Sequence, residues 1–339
     1  MSEDENKIDF LAIGDIVIDA FIKLKDAEEL VNHGTLELCV RFGDKVPYES
    51  VTVIPAVGNS PNAAVASARL GLRSAIITHI GNDKHGEDCL TSLKKDKVET
   101  DYVVTEKDKI TNYHYVLWYN VDRTILIKHI KFDYKFPKLP EANWVYLSSL
   151  AENSLEYHNE ILKYLQNYPN TKLAFQPGTF QIKFGTEALK NIYQRTEIFF
   201  SNVEEAELIL KIPASQSQDE KDKDVATLSK GIAALGPKIV VLSDGPNGAY
   251  LYLNNELWHI PIYPDIAPPL DRTGAGDAFS STFTAALALG KTPLEAFTWG
   301  PINSMSVVQE IGAQKGLLSK EKIEEYLKNA PADYKVKKI

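Results

Sequence analysis

The chain has 339 residues, 44% of them hydrophobic and 24% charged, an ordinary make-up for a globular protein with a sizeable core. That excludes global disorder, collagen and coiled coil; no apolar run reaches the roughly 18 residues of a membrane span. The acidic start Met1–Lys7 is not a signal peptide, and two isolated cysteines, Cys39 and Cys89, exclude a disulfide scaffold and point to a cytoplasmic protein. With 37 Lys and Arg against 46 Asp and Glu, the net charge is −9. Neither nucleic acid nor a membrane is then an expected partner, and an anionic ligand needs a local site of backbone amides, a metal or a few cations.

Nearly continuous apolar runs at Ile8–Ile13, Ala75–Ile80, Trp144–Ser148, Lys172–Gln176, Glu197–Ser201 and Lys238–Ser243 read as parallel strands covered on both faces. Amphipathic stretches at about 60–70, 86–96, 154–168, 185–194, 203–211 and 224–235 read as the helices between them. Strand and helix alternating in this way predict a layered α/β sheet. From Asp277 the pattern turns mostly helical and ends near Asn329.

Two stretches break the rhythm. Residues 20–57 hold a polar segment at Asn32-His-Gly and alternating runs at Leu36–Val40 and Glu49–Ile54. Residues 111–131 are rich in Tyr113, Tyr115, Trp118, Tyr119, Ile125 and Ile127 around the turn Asn120-Val-Asp-Arg. Both predict strands of a small second sheet, a lid on a single domain rather than a separate folding unit. Gln216–Asp224 is polar and charged and reads as a surface loop. No internal repeat is found.

The strongest chemical signal is Asp271-Arg-Thr-Gly-Ala-Gly-Asp277-Ala-Phe-Ser. Its small residues let backbone N–H groups approach a ligand closely. A helix follows, with Phe279, Phe283, Ala286 and Leu287 on one face and Gly290 at its stop. A glycine-rich turn that opens a helix binds anions through free N–H groups and the positive end of the dipole. Asp277 then stands beside a bound phosphate, placed to take the proton of a nucleophile attacking it. Taken alone, the same residues also read as a tight turn with Asp277 as an ordinary helix cap.

Other chemistries are not expected. There is no Gly-x-x-x-x-Gly-Lys-Ser/Thr loop, and the first strand runs into Gly14-Asp-Ile-Val-Ile-Asp rather than Gly-x-Gly-x-x-Gly. The seven histidines lack metal-pair spacing, so no zinc site is expected.

Asp271–Ser280 resembles the C-terminal signature of the ribokinase-like (PfkB) carbohydrate kinases, Asp-Thr-x-Gly-Ala-Gly-Asp. Further stretches are collinear with that family. Ile13-Gly-Asp-Ile-Val-Ile-Asp19 is similar to its first strand and turn, and Ala56-Val-Gly58-Asn-Ser-Pro-Asn62 to its Gly-Gly-x-x-x-Asn signature. His79-Ile-Gly81-Asn-Asp83-Lys-His-Gly86 is similar to a Gly-x-Asp-x-x-Gly turn, Asn202-Val-Glu-Glu205 to Asn-x-x-Glu, and Ser243-Asp-Gly245-Pro-Asn-Gly248 to Thr-x-Gly-x-x-Gly. The likeness spans nearly all of residues 8–328. The chain departs from it at Val57, where the family has glycine, at Ser243, where it has threonine, and at Gln176-Pro-Gly-Thr, where it often has Asp-Pro-Asn.

The resemblance implies a three-layer α/β/α fold over 1–339, with a mostly parallel central sheet and a small β-sheet lid from about 20–57 and 111–131. It implies a magnesium–ATP-dependent kinase acting on a primary hydroxyl of a sugar, or alternatively on a nucleoside ribose. Asp277 would be the base, with the amides of Gly274, Ala275 and Gly276 holding developing charge. Asp19, Gly58, Asn62 and the lid residue Arg123 would meet the acceptor. Asn202, Ser243, Gly245, Gly248, Thr273 and Asn303 would line the nucleotide, and Glu205 would lie near Mg2+. A monovalent cation such as K+ is a further cofactor that the family suggests.

Simpler readings stand beside these. Ser60-Pro61 also fits plain helix initiation, and Glu204, Glu205 and Glu207 also fit an acidic first helical turn. The lid aromatics suit either stacking on a base or packing a β-clasp. The lid's apolar strands suit pairing between subunits, which would make a homodimer. A non-catalytic ligand-binding protein on the same fold is the reading from another class.

Overall fold

A computed structural model describes residues 7–32, 35–120, 122–212 and 221–339. His33, Gly34, Val121 and residues 216–220 of the expected loop lie outside the described residues. The chain opens with β1 (Ile8–Ile13), β2 (Val17–Leu24), β3 (Glu28–Asn32), β4 (Thr35–Cys39) and β5 (Tyr48–Val57), followed by α1 (Asn59–Arg69). Next come β6 (Ser74–Ile77), β7 (His79–Gly81), α2 (Lys84–Lys95), β8 (Val104–Glu106), β9 (Asn112–Tyr119), β10 (Asp122–Leu126) and β11 (Ala142–Leu147). The second half runs α3 (Leu155–Asn167), β12 (Lys172–Phe175), α4 (Thr179–Ala188), α5 (Lys190–Arg195), β13 (Ile198–Asn202), α6 (Val203–Leu210) and α7 (Lys221–Ala234). It ends with β14 (Ile239–Ser243), β15 (Ala249–Leu253), β16 (Glu256–Ile260), α8 (Ala275–Ala288), α9 (Pro293–Val307), α10 (Lys320–Lys328) and β17 (Lys337–Lys338).

The main sheet has nine strands in the order β17-β16-β15-β14-β13-β12-β11-β1-β6. From β6 to β14 every pairing is parallel, and from β14 to β17 every pairing is antiparallel. Alternate side chains of each parallel strand enter different cores, which is why these strands read as unbroken apolar runs. Phe10, Ala12, Trp144 and Tyr146 pack in a core shared with α1, α8 and α9. Leu11, Ile13, Val145 and Leu147 pack in the other, with α3, α5, α6 and α7. The three-layer expectation therefore holds. Among the described residues no helix is long and apolar enough to cross a membrane.

The predicted second sheet is present as β10-β9-β2-β5. Its central pair, β2 with β9, is parallel, and both outer pairs are antiparallel. β3 and β4 form a separate hairpin. Local details differ from the sequence reading. The run Ala75–Ile80 is two strands, because after Ile77 the chain leaves β1 and pairs instead with β8. The helix expected at 185–194 is two helices, α4 being kinked at Gly185, whose φ of 82° no right-handed turn accommodates. α7 starts at Lys221, inside the stretch expected to be loop.

Candidate active site

The glycine turn is built as its composition requires. Gly274 caps α8 with φ 81°, and a Cβ there would lie 2.2 Å from Ala313 Cβ. Left-handed backbone and this close approach both demand glycine. At Gly276 a Cβ would meet nothing within 4 Å, so the turn is open on that side. No side chain caps the helix; the Ala275 N–H turns back to Arg272 O at 3.5 Å, and the other N–H groups of this first turn have no intrahelical acceptor. Asp271 braces the turn from below: Thr273 N–H and Oγ1–H donate to its Oδ1 at 2.9 and 2.6 Å, and Gly312 N–H donates to its Oδ2 at 3.0 Å.

Asp277 sits in the first turn of α8 and is 9% exposed. Its carboxylate points at amides, not into the apolar core. Asn59 Nδ2 and Gln176 Nε2 donate to Oδ1 at 2.7 and 3.2 Å, and Asn62 Nδ2 donates to Oδ2 at 2.8 Å. Burial pushes its acidity toward weaker acid, and the Asn62, Asn59 and Gln176 donors pull it back. The result is a carboxylate more basic than usual, held in one orientation.

Of those three donors the sequence singled out only Asn62. Asn59 lay within the quoted motif without a role, and Gln176 read as a departure from the family pattern. Gln176 now has a clear place. Its Oε1 accepts from Tyr146 Oη–H and from Ser280 Oγ–H at 3.2 Å, which turns its NH2 toward Asp277. Asn62 is more committed than expected: its Oδ1 also accepts from Gln314 Nε2 at 3.0 Å, so it holds Asp277 before it can meet any acceptor. Gln314 Nε2 donates to Ala56 O at 2.6 Å as well.

On the acceptor side, Gly58 has φ 116°, and a Cβ there would sit 3.0 Å from Asp15 O. Asp19 lies on β2 in register with His114 of β9, and His114 Nδ1 is 3.6 Å from Asp19 Oδ1. Arg123 lies opposite Trp118 on the β9–β10 hairpin, its backbone four residues and so about 13 Å along the strand from His114. Alternation along β9 also sorts the lid aromatics. Trp118 shares the face of His114 and Asp19, whereas Tyr113, Tyr115 and Tyr119 point to the other side, where the Tyr113 ring stacks near His85 at 4.9 Å.

The residues expected around the nucleotide divide into two groups. Asn202 and Ser243 end the neighbouring parallel strands β13 and β14 in direct register, beside the Gly245–Gly248 turn. Gly248 has φ 90°, and a Cβ there would come within 2.1 Å of Ile260 O. Asn202 and Glu205 form a capping box at the start of α6: Glu205 N–H donates to Asn202 Oδ1 at 2.7 Å, and Asn202 N–H to Glu205 Oε2 at 3.0 Å. Burial raises the Glu205 pKa, the Asn202 N–H opposes this, and the charge of Asp277 raises it further. Thr273 spends its hydroxyl proton on Asp271.

Asn303 is fully buried in α9, its Nδ2 donates to Thr282 Oγ1 at 2.7 Å, and its Oδ1 accepts from Leu318 N–H at 2.9 Å. Its amide joins α8, α9 and the following loop, with one N–H and one oxygen lone pair engaged.

Among the described residues no group of three or more His, Cys, Asp or Glu could hold a metal ion. Mg2+ typically takes one or two protein carboxylates and fills the rest of its shell with water and phosphate. Glu205, half-buried and close enough to feel Asp277, fits that limited part.

Residues 35–320 match the model of the pfkB family carbohydrate kinases. The chain is 26% identical over 294 residues to the ribokinase of Bacillus subtilis (strain 168), covering 85% of this chain and 92% of that protein. It is 24% identical over 350 residues to the 5-dehydro-2-deoxygluconokinase of Geobacillus thermodenitrificans (strain NG80-2), covering 97% and 96%. Among solved structures, ribokinase from Cryptococcus neoformans var. grubii serotype A in complex with ADP superposes with a TM-score of 0.76 at 22% identity, covering 93% of this chain and 98% of that one. The nucleoside kinase of Methanocaldococcus jannaschii superposes with a TM-score of 0.74 at 17% identity, covering 96% and 99%. A glycine turn opening α8, an amide-held carboxylate behind it and a family match over most of the length converge: the chain belongs to the PfkB family of carbohydrate kinases, phosphotransferases with an alcohol group as acceptor.

Proposed function

We propose that this protein is an ATP-dependent sugar kinase that transfers the γ-phosphate to a primary hydroxyl of a small carbohydrate. One observation carries the reading: Asp277 stands in the first turn of a helix with no side-chain cap, held by Asn59 and Asn62 from the acceptor side and by Gln176 just after β12. In the proposed reaction the acceptor O–H gives its proton to Asp277 and its oxygen attacks the γ-phosphorus. The bond from that phosphorus to the bridging oxygen breaks, and ADP leaves. The N–H groups of Gly274 and Gly276, with that of Ala275 once it leaves Arg272 O, hold the charge that grows on the transferring group. Asn202, Ser243, Gly245 and Gly248 would flank the nucleotide, and Glu205 would help hold Mg2+, whose chemistry is to neutralise phosphate charge. A structural relative solved with ATP and Mg2+ supports this choice of cofactors; a K+ site rests on the family resemblance alone.

Sugar leads over nucleoside as acceptor because three of the four lid aromatics offered for stacking on a base face away from Asp19. A homodimer through the lid is supported by exposed Val51, Val53, Tyr115 and Leu126, and a cytoplasmic setting by two free cysteines. A non-catalytic binder has no observation in its favour. The test is ADP release from Mg2+–ATP against pentoses, hexoses, phosphorylated hexoses and nucleosides, with Asp277→Asn alongside. We expect a fall in kcat of about 100-fold or more in the variant, the usual scale for a positioned base. Full activity in Asp277→Asn would refute the role.

A further inference from the structure

Beside Asp19, four side chains that no motif singled out gather at the carboxyl end of β1 and along β9. Asp15 is 6% exposed, and Tyr134 Oη–H donates to its Oδ1 at 2.7 Å. Tyr134 is itself fixed, its Oη accepting from Ala151 N–H at 3.2 Å. His129 Nδ1 lies 3.6 Å from Asp15 Oδ2, matching His114 Nδ1 at 3.6 Å from Asp19 Oδ1. The two imidazoles meet edge to face, with centroids 5.4 Å apart, and Phe180 closes on His129 at 5.5 Å. Two carboxylate–imidazole pairs thus stand side by side.

These pairs are not satisfied by the protein. Asp15 Oδ2, Asp19 Oδ1, His114 Nε2 and His129 Nδ1 are all buried without a hydrogen-bond partner. Buried polar atoms are nearly always paired, because leaving one unmade carries the full desolvation penalty. Four such atoms within one small cluster, one of them on a carboxylate already fixed by Tyr134, point to a ligand that completes them. The cluster adjoins the acceptor side directly, since Asp15 O is the atom against which Gly58 is packed, and the next residue, Asn59, holds Asp277.

The chemistry of the cluster narrows that ligand. Each carboxylate accepts a hydrogen bond and each protonated ring nitrogen donates one, so each pair suits a hydroxyl, which does both. Two carboxylates with two imidazoles never sum to a positive charge, whatever the histidine protonation. The two pairs therefore offer a phosphate or carboxylate on the acceptor no net attraction. We propose that Asp15 with His129 and Asp19 with His114 form a two-station hydroxyl socket that selects a neutral, unphosphorylated polyol over a sugar phosphate or sugar acid. The proposal rests on the reading of this end as the acceptor site.

The test is calorimetric binding to the full-length protein of D-fructose, D-ribose and adenosine against D-fructose 6-phosphate and D-gluconate. Asp15→Asn and His129→Gln follow, with Mg2+–ATP affinity as the check on folding. We expect at least one neutral compound to bind about 10-fold or more tightly than both anions, and each variant to weaken it about 10-fold with nucleotide affinity unchanged. If a variant also loses nucleotide affinity, Tyr134→Phe, which only frees Asp15, decides by the same criterion. An anion bound as tightly as the neutral compounds, unchanged affinity in the variants, or no binding of any of the five overturns the socket. Neutral sugar bound and lost as expected, but without ADP release from Mg2+–ATP, sinks the phosphotransfer reading and leaves the socket standing.

Discussion

Two acidic regions face each other across Gly58 and are built on opposite principles. Asp277 is held: three side-chain amides converge on its two oxygens and fix its orientation without a ligand. Asp15 and Asp19 are left open, each 3.6 Å from a histidine and each with a buried oxygen that lacks a hydrogen bond. On the proposed reading, the difference separates positioning from recognition. The group proposed to act on one proton is locked, whereas the groups proposed to read a partner keep valence in reserve.

That contrast can be broken or sharpened. The largest effect expected beyond the Asp277→Asn loss concerns the ground behind the open end. His79 packs edge-on to Tyr134 at 5.0 Å, and burial pushes its pKa down to about 4. The unfolded chain takes up this proton below about pH 6.5, and the folded protein only near pH 4. Stability from this group is therefore full above 6.5 and falls by about 3 kcal/mol as the pH drops to 4. Urea unfolding at pH 7.5 and 4.5 checks it, with His79→Gln expected to flatten the difference.

A smaller effect tests the locked end. Gln176→Leu removes one of three donors that offset burial at Asp277. The acidic limb of the kcat profile then moves to higher pH, with activity on that limb reduced by up to about 10-fold relative to the unaltered protein. An unmoved limb would mean that Gln176 packs but does not tune. The smallest concerns a third carboxylate, neither locked nor open. Asn202→Ala breaks the capping box and is expected to lower stability by about 1 kcal/mol, read as a slightly lower Tm, with Glu205 losing its fixed orientation.

Much of the fold was legible because parallel strands buried on both faces leave continuous apolar runs, and because the Gly-Ala-Gly turn forces its own geometry. The small second sheet was legible from alternating β-branched and aromatic residues. What stayed hidden depends on tertiary closure. Asn59 and Gln176 lie 218 and 101 residues from Asp277, and no local pattern announces that their amides will meet one carboxylate. His114 and His129 read as scattered because their pairing with Asp19 and Asp15 arises only when β2 and β9 lie side by side. The partners of Asn303, Thr282 and Leu318, were hidden for the same reason, since helix packing supplies them.

The loop after α9 has a mechanical consequence. Through one amide nitrogen Gln314 grips the root of the lid at Ala56 and the wall residue Asn62. Two residues earlier, Gly312 ties to Asp271 beneath the anion turn and leaves no room for a side chain beside Ile54. Root, wall and turn are thus riveted into one chassis. Ile54 and Ala56 of the small sheet therefore share one support with the start of α8.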